Sequence, residues 1–454
     1  MRFSQLDGLT VGVWGAGVET RSFARQVAAR LPRTRIAVLV REERRDARAE
    51  RERTARAPEL TEQATIVGAD RAVEALRACD VLVRSPGVSI HRPELRALAA
   101  HGLPVVTPTG LWMEERGGRN VIGVTATKGK STTASLIAHL VLNAGRPAQL
   151  GGNIGQPALD LLDTDERDLA VIELSSYQIA DLTVGPEVAV ASNLYPEHLT
   201  WHLTVEAYRR DKLRLLALPG VRRCVLNATS PEVMAAPRAV EEVLTFGEPP
   251  GWYVTAEGDV ARGEGEVHVA AGTLTLTGRH NALNVCAAAT ALEAVGIPVR
   301  SLAGALADFE PLAHRLQIVH EAGGVTWVDD SISTEPHAAR AAIESFPDRP
   351  VVLIGGGYDR GQDYGELGAL LAERGAGVLG LPATGTRLVE AARAAGVPAE
   401  RVRMMDGLPE AVAAARAIAT ADTVVLLSPA APSFTTHPSY EARGDHFRDL
   451  ARGG

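Results

Sequence analysis

The chain is poor in cysteine, carries no excess of positive charge, and contains no long apolar run. Its three cysteines, Cys79, Cys224 and Cys286, are scattered through 454 residues without a C-x-x-C pair. That spacing points away from a disulfide framework or a structural zinc, and toward reduced thiols in a cytoplasmic protein. The net charge of −8 argues against nucleic acid or an anionic membrane as the main partner. An anionic ligand would therefore need a local basic pocket. No apolar stretch approaches the ~20 residues of a membrane span. MRFSQLDG runs straight into an apolar strand, so no signal peptide is expected.

A chain of 454 residues exceeds one core, so two or three domains are expected. Short apolar runs alternate with helical patterns throughout, the signature of parallel sheets covered by helices. The first block opens with TVGVWGAG, a helix around Ser22 to Arg30 and a strand at Ile36–Val40. An Arg- and Glu-rich run from Arg41 to Arg56 reads as a solvated helix or loop. CDVLVRSPGVS and HGLPVV follow as strands ending in turns. The second block, from Val121, continues through LAVIELSS and VAVASNLYPEH. The third begins near Phe309 and carries strands at VTWVDD, VVLIGGG, GVLGLP and DTVVLLSPA. The fold class is α/β, and ligands of such sheets bind outside the carboxyl ends of the strands.

One such end reads GVTATKGKSTT, Gly123 to Thr133. Gly129 and Lys130 precede Ser131-Thr132-Thr133, which opens a helix to about Asn143. Amides at a helix start together with a lysine make an anion site, and a hydroxyl after the lysine suits Mg²⁺. At 4 Å and an effective dielectric near 20, two unit charges interact by roughly 4 kcal/mol. The spacing departs from the common P-loop, because five residues rather than four separate Gly123 from Gly129. A plain strand-to-helix turn with a solvated lysine is the bland alternative. Nucleotide binding is the stronger reading, but the loop alone does not name a reaction.

Other strand ends add chemistry. Glu173 follows LAVI, next to the loop, and is a natural Mg²⁺ partner there. In NLYPEHLTWH, His198 is a candidate ligand although Mg²⁺ prefers oxygen, and His202 reads as structural. Lys212, in AYRRDKLRLL, reads by itself as part of a solvated helical face. In GRHNALN, Asn281 and Asn284 share a face if helical, and suit either a purine edge or a cap. Arg315 in AHRLQ could neutralise phosphate, and Asp330 in WVDDS could hold ribose hydroxyls.

Taken in order, TATKGKSTT, GGNIGQP, IELSSYQ, NLYPEHLTWH, the lysine of RRDKL, GRHNALN, AHRLQ, DDS and GGYDRG resemble the Mur ligases, ATP-dependent amide-forming enzymes. The SPG turn at Ser85-Pro86-Gly87 and the length of the first block resemble the MurD branch, which joins glutamate to UDP-N-acetylmuramoyl-L-alanine in peptidoglycan precursor synthesis. The five-residue spacing then matches that family's TGTNGKS-type loop. The resemblance implies three domains: a Rossmann-like substrate domain at 1–115, a central P-loop-type ATP domain at 116–308 and a Rossmann-like glutamate domain at 309–454.

It also implies roles. Thr125 to Thr132 would form the ATP loop, with Lys130 on the β- and γ-phosphates. Ser131 and Glu173 would coordinate Mg²⁺, and His198 a second Mg²⁺. Lys212 would be the lysine carbamylated by CO₂. Asn281, Asn284, Arg315 and Asp330 would hold ATP. Gly15, Gly17, Val18, Glu19, Thr20, Ser85, Pro86 and Gly87 would hold the UDP substrate, and Asn153 and Ser175 its muramoyl side. The implied reaction passes through an acyl phosphate, which the three domains should close over.

The chain also departs from that pattern. Ala126 stands for a glycine and Lys128 for an asparagine in the loop. GAGVET is a partial glycine fingerprint with Thr20 at the third position, and Arg41, rather than an acidic residue, follows the second strand. Both disfavour NAD. Where the family reads DSKATN, this chain reads Asp330-Ser331-Ile332-Ser333-Thr334-Glu335. Arg360 matches a family lysine, and its planar fork grips a carboxylate differently. Thr334, Arg360, Ser433 and Tyr440 occupy the glutamate-contacting positions. These departures resemble a branch that adds L-glutamate and relies on a separate epimerase to correct the stereocentre. The D-glutamate enzyme is the alternative. A folylpolyglutamate synthase would lack this first block. A non-catalytic regulator would not need Glu173, His198 and Lys212 together.

Overall fold

The computed structural model describes residues 1–41, 58–61, 64–154, 156–273, 278–299, 301–310, 313–359 and 362–453. Most of the Arg41–Arg56 run, and Arg360, lie outside the described residues. The chain packs as two compact units, Met1–Leu274 with His280–Phe309, and Thr275–Arg279 with Glu310–Gly454.

The first unit holds two sheets. One is parallel, with order β3-β2-β1-β4-β5: β1 (Thr10–Trp14), β2 (Arg35–Val40), β3 (Thr65–Val67), β4 (Val81–Arg84) and β5 (Val105–Val106). The order reverses between β1 and β4, and such a switch point opens a crevice at the strand ends. The helix after β1 runs Val18–Arg30, one turn earlier than its apolar pattern suggests, with Gly17 as its N-cap. Val18, Glu19 and Thr20 therefore sit in its first turn.

The second sheet has order β14-β13-β12-β11-β10-β9-β6-β8-β7. Its strands are β6 (Val121–Thr125), β7 (Ala148–Gly152), β8 (Leu169–Glu173), β9 (Val188–Ala191), β10 (Arg223–Asn227), β11 (Val243–Phe246), β12 (Trp252–Val254), β13 (Val260–Arg262) and β14 (Glu266–Val269). Among the described residues β13 pairs antiparallel with both β12 and β14, and the remaining pairs are parallel. VIGVT and LAVIE are buried along their whole length, as strands covered on both faces must be. Gly123 sits inside β6, where a β-carbon would come within 2.6 Å of Pro186. One hydrophobic core runs from Val11, Val13 and Phe23 through Trp112 to Val121, Ile172 and Ala189, so the two sheets share it.

The second unit is built on order β15-β16-β20-β17-β18-β19: β15 (Gln317–Ala322), β16 (Val325–Asp329), β17 (Val351–Gly355), β18 (Gly377–Gly380), β19 (Val402–Met404) and β20 (Val424–Leu427). Only β15 is antiparallel, at the edge.

At the end of β7, Gly152 has φ +97°, and a β-carbon there would stand 2.3 Å from the Glu173 carbonyl oxygen. Gly152→Ala should therefore lower stability by about 2 kcal/mol, read as a shifted urea midpoint at unchanged slope. Gly145 also has positive φ but nothing within 4 Å of its β-carbon position, so Gly145→Ala should cost less.

Candidate active site

The loop after β6 turns into the helix Lys130–Asn143 at Gly129, whose φ is +83°. A β-carbon there would meet the Asn284 side chain at 2.6 Å. Glycine is thus required twice, by the backbone angle and by the neighbour. Asn284 lies on the helix Arg279–Ala294, accepts from Thr133 Oγ1 at 3.2 Å and donates to Asn281 Oδ1 at 3.1 Å. The two amides do share a face, and it packs against the loop. Ala126 is not among the residues of positive φ, which is why alanine is tolerated there.

Asn193, just beyond β9, clamps the loop. Its carbonyl accepts from the Thr127 amide at 2.9 Å, its Oδ1 from the Lys128 amide at 2.8 Å, and its Nδ2 donates to the Lys128 carbonyl at 2.9 Å. Thr125 Oγ1 donates to the Leu174 carbonyl, and Thr127 Oγ1 lies 2.7 Å from the Tyr208 hydroxyl. The start of the helix, from Lys130 through Thr132, is the kind of end whose amides can receive an anion.

Behind the loop stands Lys212, on the helix Val205–Leu213. It is not the solvated residue its sequence suggests: it is buried, and its Nζ donates to the Ala126 carbonyl at 2.8 Å. Burial holds its ammonium well below the ordinary lysine range, and Lys130 and, less strongly, Lys128 add to this against Glu197 and Glu173. Burial likewise holds the His198 imidazole down, to about 4, with Lys212, Lys130 and Lys128 adding to this against Glu197. His198 has φ +58° and packs on Tyr177 at 4.9 Å. Lys130, Lys212, Glu173 and His198 are thus brought to one place.

Glu173, at the tip of β8, is buried. Its Oε1 accepts from Asn153 Nδ2 at 2.7 Å, and its Oε2 has no hydrogen-bond partner among the described residues. A buried carboxylate oxygen left so is costly unless a cation or donor arrives. It fits Mg²⁺, as do the Ser131 hydroxyl at the helix start and the His198 imidazole. Among the described residues no three His, Cys, Asp or Glu side chains form a ready cage.

At the crevice of the first sheet, a β-carbon on Gly15 would stand 3.0 Å from Ser85 Cβ and one on Gly17 2.8 Å from Ser85 Oγ. Thr20 Oγ1 donates to the Gly15 carbonyl at 2.7 Å and closes the loop on itself. The turn Ser85-Pro86-Gly87 is held by buried Arg84, which donates to the Ser85 and Pro86 carbonyls at 3.1 Å and to Asp181. Trp201 Nε1 also donates to the Pro86 carbonyl at 3.1 Å. Glu19 accepts from Thr109 at 2.7 Å and from Gln178 at 2.8 Å, and burial pushes its carboxyl up against those bonds. Gln178 in turn caps Ser175, so Glu19 and Ser175 are joined through it.

In the second unit, Asp330 follows β16 and is buried. Ser428, after β20, donates to its Oδ2 at 2.7 Å, and the Leu316 amide, next to Arg315, to its Oδ1 at 3.3 Å. Burial pushes this carboxyl up to about 6. Buried Arg443 donates to the Ser331 carbonyl at 2.8 Å and the Ala431 carbonyl at 3.1 Å. Ser331 Oγ donates to the Tyr440 carbonyl at 2.8 Å. Asp330 and Tyr440 are thereby tied through Ser331, and Ser433 lies two residues past Ala431. Thr334 is partly buried in the turn after Asp330.

Sequence reasoning missed Asn193, Glu197, Tyr208 and Trp201, and took Lys212 for a surface residue on composition alone. His202 is structural as expected: buried, it bridges Asp211 Oδ2 at 2.8 Å and Ser176 Oγ at 2.9 Å. No described helix is long and apolar enough to cross a membrane.

The chain is similar to proteins of known kind. The model of the Mur ligase middle domain matches residues 124–292, and that of the Mur ligase glutamate ligase domain matches 314–431. A Micromonospora protein is 42% identical over 462 residues, spanning 100% of this chain and 98% of its own length. A Salinispora tropica protein is 41% identical (100% and 99%), and a Xanthomonas campestris protein 39% identical (99% and 97%). All three are named UDP-N-acetylmuramoyl-L-alanine–L-glutamate ligase. Among solved structures, MurF from Acinetobacter baumannii aligns with a TM-score of 0.60 at 16% identity over 99% of this chain and 92% of its own, a likeness of fold. MurC from Thermotoga maritima gives 0.58 at 17% over 98% and 99%. The chain belongs to the Mur ligase family.

Two outcomes follow from the site. Gly129→Ala should abolish ADP binding measured by calorimetry while leaving the thermal transition within a few degrees. For Asp330 the folded pKa of about 6 lies above the unfolded value, so its contribution is present below about pH 4 and is lost as pH rises through 6. Asp330→Asn should accordingly stabilise the chain more at pH 8 than at pH 4.5 in scanning calorimetry.

Proposed function

We propose that this chain is an ATP-dependent ligase that joins L-glutamate to UDP-N-acetylmuramoyl-L-alanine through an acyl phosphate, in peptidoglycan precursor synthesis. The observation that carries the reading is the buried Glu173, one carboxylate oxygen unpaired, in the same pocket as the buried Lys212 behind a lysine-bearing phosphate loop. The family supports ATP and Mg²⁺ as its requirements, and the full-length relatives named for L-glutamate support that stereochemistry. Ile332 in place of a lysine and Arg360 in place of another support it as well.

In this reading the three parts are 1–115 for the UDP substrate, 116–308 for ATP and 309–454 for glutamate. Lys130 and the helix-start amides hold the β- and γ-phosphates. The substrate carboxylate attacks the γ-phosphorus, releasing ADP, and the glutamate amine then displaces phosphate from the mixed anhydride. Ser131, Glu173 and His198 would hold Mg²⁺, expected at two sites, and it would supply neutralisation of phosphate charge. Asn153 fixes Glu173, and Asn281 and Asn284 brace the loop against the nucleotide. Gly15 to Thr20 and Ser85 to Gly87 receive the UDP moiety, and Ser175 lies toward the muramoyl group. Arg315 and Asp330 serve ATP, and Thr334, Arg360, Ser433 and Tyr440 the glutamate. Catalysis is mostly positioning and electrostatics.

A deprotonated Lys212 amine is also a nucleophile for CO₂. The product, an N-carboxylate plus one released proton, would replace an ammonium disfavoured beside Lys130 by an anion that a cation can bind. The product belongs to a reaction sequence in which an epimerase would act next.

The test is product mass and phosphate release with UDP-N-acetylmuramoyl-L-alanine, ATP and Mg²⁺, offering L- or D-glutamate. Turnover with the L enantiomer is expected, and turnover with D-glutamate alone would contradict the stereochemical assignment. Lys212→Ala should reduce the rate by about a thousandfold or more.

A further inference from the structure

Lys128 is the departure from the family loop that the reaction scheme does not use. Its backbone is fixed on both sides by Asn193, so its four-carbon side chain is the part that can move. Its Nζ lies 2.8 Å from Glu197 Oε1. The Glu197 side chain is the less accessible partner, 12% exposed, and the Lys128 side chain the more accessible, 37% exposed. The other oxygen of Glu197 stands 3.6 Å from His198 Nε2, on the side where Glu173 and Lys212 also converge. An asparagine at position 128 could not form this ion pair.

We propose that Glu197 is a cation-binding carboxylate held in reserve by Lys128. Without nucleotide the Lys128 ammonium caps it. The phosphates of a nucleotide compete for that ammonium, draw it toward the loop mouth, and leave the carboxylate to the divalent ion that arrives with them. The pair is thus a latch that keeps the metal-side carboxylate neutralised until the nucleotide is present. This rests on the nucleotide-loop reading above.

A released Glu197 would offer a full negative charge to a dication, an attraction that screening and desolvation reduce but that the capped carboxylate cannot supply. The same exchange explains why a loop that already carries Lys130 and faces Lys212 can accept a further ammonium: Glu197 offsets it in the empty site, and phosphate offsets it in the filled one.

The experiment is calorimetric ADP binding to the full chain, in EDTA and across a Mg²⁺ titration. Lys128→Asn, with Lys128→Met as a second removal of the charge, is expected to lower the half-saturating Mg²⁺ concentration about tenfold. Adding Glu197→Gln to either should cancel that gain. Glu197→Gln alone should strengthen ADP binding in EDTA and raise the Mg²⁺ requirement. An unchanged or higher Mg²⁺ requirement in both Lys128 variants would overturn the latch, as would a gain that survives in the double variants. Equal weakening of ADP binding with and without Mg²⁺ would make Lys128 a plain phosphate ligand and would equally overturn it. Failure of the unaltered chain to bind ADP would remove the nucleotide-loop reading and the latch with it.

Discussion

Like charges gathered at one loop are the constraint around which the rest of the first unit is arranged. Lys212 is buried against the Ala126 carbonyl, with Lys130 and Lys128 on the same loop. Left alone, these ammonium groups would repel one another in a poorly solvated place. The protein meets this in two ways: burial favours the neutral amine at Lys212, and Glu173 and Glu197 supply opposing charge. Neither remedy is complete without ligands, since one Glu173 oxygen has no hydrogen-bond partner among the described residues. A buried carboxylate with an oxygen left without a partner among the described residues, beside the Lys130 ammonium, suits a metal-bound polyphosphate.

Precision comes from the strand ends. β6, β8 and β9 are adjacent and parallel, so the loop, Glu173 and Asn193 leave the sheet side by side. Asn193 then fixes the loop's height, and Asn153 fixes Glu173. The short helix Leu199–His202 extends the arrangement: His198 at its start faces the lysines, while Trp201 near its end holds the Pro86 carbonyl of the first sheet. The nucleotide side and the crevice of the first sheet are joined through five residues, which suits an enzyme that must align two substrates.

Much of this was legible in the sequence. Apolar runs ending in polar residues located the strands and the loop, because a strand buried on both faces leaves an unmistakable run and the chemistry must follow it. The family likeness then implied roles for Lys212, which its own segment placed on a solvated face, and for His198, which alone was a weak candidate ligand because Mg²⁺ prefers oxygen. What stayed hidden depends on contacts distant in the chain. Lys128 meets Asn193 and Glu197 across 65 and 69 residues, and no local period encodes such a pair. The core shared by the two sheets of the first unit was hidden for the same reason. In the second unit, the role of Arg443 as a clamp on Ser331 could not be read from a helix whose pattern looks solvated.

The central claim is that a carboxylate is activated by phosphoryl transfer in this pocket. It is tested most directly by labelling the carboxylate of UDP-N-acetylmuramoyl-L-alanine with oxygen-18 and analysing the phosphate released during turnover with L-glutamate. An acyl phosphate requires one labelled oxygen to appear in each phosphate formed. Phosphate free of label, alongside amide product, would contradict the account.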